Sequence, residues 1–142
     1  MVHTPAEPEP GAHTVPPVDA VLKALAERIR LRMLVVLGEA GDLCSCEIEA
    51  VLELSQSNAS RHLSKLSAAG LISPYKSAQW THYLPNTSLW AHMGFIEPAL
   101  ESARASLEEV AGDLERLRDY QKSGYTCRTI GAFRVARGEK RR

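Results

Sequence analysis

The feature that most constrains the fold is a change of hydrophobic spacing at Gly70. Before it, apolar residues recur every three or four positions in SQSNASRHLSKLSAAG, which is typical of an amphipathic helix. Ser55 is a good N-cap for this helix, and Gly70 suits the position just after its last turn. After Gly70, the runs LISPYK and QWTHYL resemble two short strands joined by a tight turn at Ser77–Ala78. The sequence therefore predicts a helix followed directly by a β-hairpin.

Three more helices are predicted upstream of this unit. The first carries a single apolar stripe, formed by Val18, Val21, Leu22 and Leu25. The second ends at Gly38 and Gly41 and turns a set of apolar residues inward: Ile29, Leu31, Leu34 and Val35. The third is short, covers 46–53, and points Ile48, Val51 and Leu52 inward. Together with the helix before Gly70, this third helix predicts a helix-turn-helix.

Downstream of the hairpin, the spacing predicts one long helix that ends near Gly124. Its apolar seam consists of Leu100, Ala103, Leu107, Val110, Leu114 and Leu117. A long helix with one seam and little else to pack on favours dimerisation.

Composition divides the chain into three segments. Residues 1–17 hold five prolines, which fix φ and remove amide donors, so we expect a disordered leader. Residues 18–121 form the predicted DNA-binding and dimerisation domain. Residues 122–142 carry seven basic residues and one acid, Glu139. This basic tail is interpreted either as a solvated, disordered end or as a phosphate-binding segment.

The net charge is zero, but the charges are unevenly distributed. Residues 55–82 contain Arg61, Lys65 and Lys76 and no acid, whereas 97–119 contain seven acids against three arginines. A locally basic segment is compatible with one DNA-facing surface.

The helix before Gly70 is the candidate for reading DNA. Its outward residues are Gln56, Ser57, Asn58, Ser60, Arg61 and Lys65. Gln, Asn and Arg can read base edges in the major groove. The alternative is an ordinary amphipathic surface helix. The hairpin that follows favours the DNA interpretation, because a β-wing beside a recognition helix can grip the flanking backbone.

The cysteines indicate the compartment and the chemistry. No apolar run approaches the length of a membrane span, and the N-terminus lacks the basic and apolar regions of a secretory signal. The chain has three cysteines, Cys44, Cys46 and Cys127, and an odd number makes a poor disulfide framework. We therefore expect a cytoplasmic protein whose cysteines are ligands or reactive thiols. No Cys-His-acid arrangement or nucleotide loop is evident, so we do not expect an enzyme.

Four separate motifs resemble the arsenic-repressor (ArsR/SmtB) family of winged-helix metalloregulators. The run 43–47, LCSCE, is similar to the family's Leu-Cys-x-Cys-acidic entry into the third helix. Its recognition-helix pattern, Ser-Gln followed by Ser-Arg-His-Leu, is matched at 55–56 and 60–63. Gly70 and Leu71 match a Gly-Leu pair after that helix, and 80–83, WTHY, matches a Trp-x-His-Tyr wing. The resemblance covers about residues 19–90.

The resemblance implies a mainly α fold with a small β-hairpin, a winged helix-turn-helix that is dimeric through its terminal helices. It also implies a cytoplasmic homodimeric repressor that binds operator DNA and releases it when a thiophilic ion binds. Trivalent arsenic or antimony is the expected inducer, with no organic cofactor. A cadmium- or lead-responsive repressor and a thiol redox-sensing repressor are alternatives.

The expected site residues combine this resemblance with the outward face of the helix before Gly70 and with the count of cysteines. The metal ligands are expected to be Cys44, Cys46 and Cys127. The residues expected to bind DNA are Gln56, Ser57, Asn58, Ser60, Arg61, His62, Lys65, Lys76 and His82.

The sequence departs from the family in two places. Some members have a third cysteine three residues beyond the second, where this chain has Glu49. Cys127 is the one cysteine left to complete a three-thiolate site, from its own chain or from its partner's, and a free surface cysteine is the alternative for it. The family's other site, built from Asp, His and Glu on the last long helix, is missing because 97–121 contain no histidine. Residues at i and i+2 do not share a helix face, so two sulfurs on one ion would require the start of the third helix to distort.

Overall fold

The computed structural model describes residues 15–138, which form eight helices and one small sheet. In chain order the elements are α1 (Val18–Leu25), α2 (Arg28–Ala40), β1 (Leu43–Cys44), α3 (Ser45–Leu52), α4 (Gln56–Ala68), β2 (Ile72–Ser77), β3 (Trp80–Pro85), α5 (Thr87–His92), α6 (Ile96–Ser106), α7 (Glu108–Ser123) and α8 (Ile130–Ala136). Most of the leader expected at 1–17 lies outside the described residues; the chain is described from Val15 onward.

The helix-turn-helix and its wing are confirmed. The Ser55 hydroxyl caps α4 by accepting the Asn58 N–H at 3.3 Å, and Gly70 follows the helix with φ +78°, a conformation that suits glycine. The strands form an antiparallel sheet of order β1-β3-β2. Ser77 pairs with Trp80, so the turn lies at 78–79, one residue later than predicted. The fold is therefore a winged helix-turn-helix with a short third strand at the entrance of α3.

The core is built around α2, whose central residues are buried against α4, α6 and α7. Among the side chains with almost no exposed surface are Met33, Leu34, Leu37, Ile48, Leu63, Leu66 and Leu117. Burial of such side chains is the main favourable term in folding, at roughly 1.5–3 kcal/mol each. The recognition helix α4 is therefore fixed on α2 and α3 through Ala59, Leu63 and Leu66, as the sequence predicted.

The predicted long C-terminal helix is wrong. The chain breaks at Leu107, whose backbone is extended (φ −89°, ψ 115°), and α6 and α7 pack on each other and on α2. The seam expected to face a second chain is consequently inside this one, with five of its residues buried: Leu100, Ala103, Val110, Leu114 and Leu117. The α1 stripe behaves in the opposite way, because Val18 and Leu22 remain 53% and 49% exposed.

The basic tail contains a helix that packs on the domain. Phe133 of α8 is 3% exposed and makes edge contacts with the rings of Tyr120 and Tyr125, at centroid distances of 5.1 Å and 5.8 Å. Arg137 of this segment pairs with Asp119 on α7 at 2.6 Å. The interpretation of the tail as a solvated, disordered end therefore fails for α8, because an apolar anchor holds it to α7.

Between residues 15 and 138, no helix combines the length and the apolar composition needed to cross a membrane.

Candidate functional site

Cys44 lies where β1 ends and α3 begins. Its side chain is fully buried, and its backbone pairs with His82 on strand β3 of the wing. Its N–H donates to Glu47 Oε1 at 2.7 Å, so the glutamate in the first turn of α3 closes back over the helix entrance. The cysteine is therefore placed at once on the sheet and on the helix that supports α4.

Cys127 reaches Cys44 from the other end of the chain. The two residues are 83 positions apart in sequence, yet the structure joins their sulfurs as a disulfide, with Cα atoms 6.8 Å apart. The sequence predicted that three cysteines would not build a disulfide framework, but this pair does bond. The same proximity allows the reduced thiolates to share one ion.

The third member of this cluster is Glu47. In residues 15–138, one group of three potential metal ligands has all its ligand atoms within 4.8 Å of one another: Cys44, Glu47 and Cys127. Cys46 is not in this group and is a free, half-buried thiol. Of the three expected thiol ligands, the structure therefore brings two together. Sequence reasoning missed Glu47, although an acid three residues after a helix N-cap is a recognisable capping signal.

Tyr120 of α7 completes the surroundings of Glu47. Its hydroxyl donates to Glu47 Oε2, while the opposite oxygen accepts the Cys44 N–H. Burial, together with the neighbouring carboxylate, raises the pKa of Tyr120, which therefore stays a donor at neutral pH. No sequence signal marks Tyr120, because its role depends on a contact across 73 residues.

Cys46 sits in a different environment. Burial first, and then the Glu49 carboxylate, raise the pKa of the Cys46 thiol. Glu49 pairs with Arg134 of α8 at 3.8 Å, so the tail helix also contacts this side of α3.

The far end of α3 is held by charged residues. Asp113 is fully buried and accepts from Arg32 at 2.7 and 2.9 Å and from Arg116 at 2.7 Å. The same two arginines donate to the last carbonyls of α3, Leu52 O at 3.0 Å and Val51 O at 2.6 Å. Each buried charge is therefore paired and hydrogen-bonded, as a low-dielectric setting requires.

The outer face of α4 is polar and free of acids, as predicted. Gln56, Ser57, Ser60, Arg61 and Lys65 are exposed, and Asn58 is half-buried. Asn58 Oδ1 accepts from Arg61 at 2.6 Å and holds that guanidinium against the helix.

His62 is a correction to the expected DNA-facing set. The ring is 3% exposed, and its Nδ1 lies 3.1 Å from Arg30 Nη1. Burial lowers the pKa of His62, which favours the neutral ring that can accept from the guanidinium. Its spacing from Ala59 and Leu66 places it on the buried stripe of α4, so it supports the helix from beneath.

The wing carries the remaining candidates. Lys76 is exposed on β2. His82 is half-buried, and its Nδ1–H donates to Asp42 Oδ1 at 2.9 Å. Its ring stacks on that of Tyr75, with ring centroids 5.0 Å apart. Arg128, the neighbour of Cys127, lies 5.8 Å above the Trp80 ring. The cysteine cluster is therefore attached to β3 from both sides, through Cys44 and through the Cys127 segment.

Comparison with known proteins gives this architecture a family. The family model described as "Bacterial regulatory protein, arsR family" matches residues 27–73. The arsenical resistance operon repressor of Escherichia coli (strain K12) is 33% identical over 98 residues, which cover 68% of this chain and 83% of that repressor. The chain belongs to the arsR family.

Other relatives match shorter stretches. The arsenic resistance transcriptional regulator ArsR1 of Pseudomonas putida is 41% identical over 78 residues, 52% of this chain, and the match spans 59% of that relative's length. Among solved structures, HlyU from Vibrio cholerae N16961 aligns with 35% identity and a TM-score of 0.49, covering 57% of this chain and 88% of HlyU.

Membership of the arsR family places the chain among bacterial regulatory proteins, and the two arsenic-resistance relatives named above are regulators and not enzymes. The family model ends at residue 73, so it includes Cys44, Cys46 and α4 but neither Cys127 nor α8. The meeting of Cys44 with Cys127 is thus a finding of the structure and not of the family match.

Proposed function

We propose that this protein is a cytoplasmic, metalloid-responsive repressor that binds operator DNA as a homodimer. Trivalent arsenic or antimony, held by the thiolates of Cys44, Cys46 and Cys127, releases it. The observation that carries the proposal is the convergence of Cys127 on Cys44, because it supplies thiol ligands from both ends of the chain at the entrance of α3. Relatives named as arsenic or arsenical resistance regulators support the choice of ion.

The ligand chemistry favours a soft ion. Thiolates select thiophilic ions over magnesium or calcium. Trivalent arsenic favours three sulfurs, and Cys46 is the remaining thiol. Cys46 must turn toward the Cys44–Cys127 pair to complete the set, and this opens the first turn of α3. Binding of the ion therefore has a structural cost at the helix entrance.

Two routes can carry this change to DNA. The first passes through α3, which packs directly on α4. The second passes through the wing, because Cys44 pairs with His82, and Arg128 beside Cys127 rests on Trp80. A coupling free energy of about 1–3 kcal/mol, typical of allosteric sites, would lower operator affinity about 5- to 150-fold.

The proposed DNA surface consists of α4 and the wing. Gln56, Ser57, Asn58, Ser60, Arg61 and Lys65 face the major groove, with Lys76 and His82 on the wing beside it. His62 contributes by supporting α4 and not by direct contact.

The proposed dimer surface is an apolar groove between α1 and α6. Leu22, Leu31, Phe95, Ala99 and Leu107 line it, and Leu22 is half exposed. A second copy of the chain would cover this groove, which replaces the buried seam as the expected interface.

The decisive experiment is release of promoter DNA by arsenite. Fully reduced parent protein should dissociate at stoichiometric arsenite, measured by fluorescence anisotropy at fixed salt. Cys44→Ser and Cys46→Ser should each bind DNA and fail to release it. Cys127→Ser should bind DNA, take up arsenite more weakly and need more of it for release. If both Cys44→Ser and Cys46→Ser respond like the parent, the metalloid proposal is wrong.

The DNA surface has its own test. Arg61→Ala should reduce operator affinity about 5- to 150-fold, the value of about 1–3 kcal/mol for a bidentate base contact, and leave the dimer folded. Arg104→Ala is the matched control, because Arg104 lies on α6 and pairs with Glu39 at 3.2 Å, away from α4. Equal operator affinities of the two variants would contradict the placement of α4 in the major groove.

A second candidate function is thiol redox sensing, which the Cys44–Cys127 bond favours. Hydrogen peroxide would oxidise the two thiols to the disulfide and be reduced to two water molecules, and the bond would alter the same helix entrance. The two candidates separate cleanly. Peroxide releases DNA from Cys46→Ser if redox sensing is correct, whereas metalloid sensing makes the reduced parent respond to arsenite with no oxidant present.

A further inference from the structure

We propose that Arg128 binds a backbone phosphate of the DNA, because the C-terminal segment carries its side chain onto the tip of the wing. The proposal rests on the proposed function, since it assumes that α4 and the wing face DNA, and it adds a contact from outside that surface. Its basis is the position of the guanidinium carbon, which lies 5.8 Å from the centroid of the Trp80 ring. The family match at residues 27–73 ends before either residue.

Trp80 lies at the tip of the wing, where strand β3 begins. It pairs with Ser77 across the hairpin, and Lys76 pairs with Thr81. Because side chains alternate along a strand and cross-strand partners share a face, Trp80 and Lys76 lie on opposite faces of the hairpin. Arg128 therefore brings a positive charge to the face that Lys76 does not occupy. A tip with a cation on each face suits an element that lies between the phosphates of two DNA strands.

The charge of Arg128 is available for a phosphate. Its side chain is exposed, and no carboxylate in residues 15–138 pairs with it. Arg134 and Arg137, on the same C-terminal segment, already pair with carboxylates on α3 and α7. Apart from Lys76, the hairpin contains no lysine, arginine or acid, so Arg128 doubles the fixed positive charge of the wing.

The Trp80 ring orients the guanidinium without consuming its hydrogen-bond donors. An arginine contacts an aromatic ring through the flat face of the guanidinium, and its five N–H groups point outward in that plane. Those groups are the donors that match a phosphate in a bidentate contact. Trp80 is therefore a positioning residue, and Arg128 supplies the contact.

The C-terminal segment is held near the wing by contacts on either side of Arg128. Before it, Cys127 is bonded to Cys44, whose backbone pairs with β3. After it, Phe133 is buried and makes an edge contact with the ring of Tyr120 on α7. The packing of α8 does not involve the disulfide, so we expect the segment to remain on the domain when the cysteines are reduced.

The test measures the affinity of the reduced, full-length protein for promoter DNA at several salt concentrations, by fluorescence anisotropy. Each phosphate contact adds about 0.9 to the steepness of log affinity against log salt, so one contact per chain adds about 1.8 for a dimer. Arg128→Ala keeps α4 and should still bind, with the steepness reduced by that amount. From about 50 to 200 mM salt, the ratio of parent to variant affinity should consequently fall about 12-fold.

Three variants make the result specific. Arg104→Ala removes the same charge from α6, where Arg104 pairs with Glu39, and should keep the salt dependence of the parent. Arg128→Lys retains the charge and should retain most of the salt dependence. Trp80→Leu should weaken binding by the parent but add little to Arg128→Ala, because contacting residues that act together are not additive.

Two results would overturn the phosphate contact. The first is equal salt dependence of Arg128→Ala and the parent, because a residue that affects only the shape of the wing releases no counterions. The second is a reduction in Arg128→Lys as large as that in Arg128→Ala. A full effect of Trp80→Leu in the Arg128→Ala background would overturn the positioning role of Trp80.

Failure of the proposed function has a different signature. It shows as a parent protein that keeps its promoter DNA at saturating arsenite. The salt comparison contains no arsenite, so the two failures are distinguishable.

Discussion

The two ends of helix α3 are built on opposite principles. At its C-terminal end, the buried Asp113 pairs with two half-buried arginines, and the arginines donate to the last carbonyls of the helix. At its N-terminal end, the neighbouring groups are two cysteines and a glutamate. On the proposed function, the cysteines exchange their present partners for an ion. One face of α7 serves both ends, through Asp113 and Arg116 at one and Tyr120 at the other. On the proposed function, the fixed C-terminal end allows a change at the N-terminal end to become a movement of the whole helix.

The largest expected effect comes from disrupting the charged cluster at the C-terminal end of α3. Asp113→Ala removes the buried carboxylate that pairs with the half-buried Arg32 and Arg116, and we expect a loss of about 3–5 kcal/mol in the free energy of unfolding. Glu39→Gln, which breaks the exposed pair with Arg104, is the control and should cost about 0.2–1 kcal/mol. Urea unfolding followed by circular dichroism measures both. Similar values for the two variants would show that the buried cluster does not anchor α3.

A smaller effect is expected from detaching helix α8, which lies near the N-terminal end of α3. Phe133→Ala removes the buried anchor of α8, and we expect docking of that helix to weaken by about 3 kcal/mol while the rest of the domain stays folded. Cys127 should then react with iodoacetamide more than tenfold faster in the reduced protein carrying Cys46→Ser. Val135→Ala lies on the same helix, is 66% exposed before substitution, and should leave the rate unchanged. Unchanged rates in both variants would mean that α8 does not position Cys127.

A single hydrogen bond at the N-terminal end of α3 should contribute still less to the free energy of unfolding. Tyr120→Phe removes the donor to Glu47 and should lower the free energy of unfolding by about 1.5 kcal/mol, the lower range for bonds to a charged group. Tyr75→Phe removes a similar bond to the exposed Asp42 and should cost less. Thermal unfolding of the two variants under reducing conditions makes the comparison, and a larger loss for Tyr75→Phe would contradict it.

The smallest expected effect is a pH dependence of the free energy of unfolding. It comes from a residue of α4 and not from the groups at either end of α3. The pKa of His62 on α4 is lowered in the folded state, so the unfolded chain binds the proton more readily. The contribution of His62 to the free energy of unfolding is complete above its pKa in the unfolded chain, about 6.5. It is lost as the pH falls through its lower pKa in the folded state. Its slope cannot exceed about 1.4 kcal/mol per pH unit, the limit for one proton.

His62→Gln tests this dependence. The free energy of unfolding, measured with urea between pH 7.5 and 5, should depend less on pH in the variant than in the parent. Four charged groups act on the ring in the folded protein: Glu27 raises its pKa, whereas Arg30, Arg61 and Lys65 lower it. An unchanged slope in the variant would assign the pH dependence to other groups.

The sequence predicted those parts of the molecule that local spacing determines. The helix-turn-helix, the Ser55 cap, Gly70 and the hairpin all follow from residues that are close along the chain. His62 could also have been placed correctly, because Ala59, His62, Leu63 and Leu66 share the i, i+3, i+4, i+7 stripe that is buried. The motif match, which grouped His62 with DNA-facing residues, overrode that spacing.

The remaining features depend on tertiary contacts. No Gly or Pro marks the break at Leu107, so the seam continues through it without a signal. The partnership of Glu47 with Tyr120, and of Cys44 with Cys127, joins residues 73 and 83 positions apart. Counting cysteines indicated that Cys127 was available, and the packing of α8 on α3 and α7 explains why it lies beside Cys44.

The distance along the chain between Cys44 and Cys127 has a genetic consequence. A ribosome finishes α4 and the wing before it adds the last thiol. On the proposed function, a stop codon at position 127 would yield a product with its DNA-facing helix complete and its third sulfur missing. Such an allele would keep its operator repressed at metalloid doses that induce the intact gene, so a reporter placed behind that operator would register it as loss of induction and not as loss of repression.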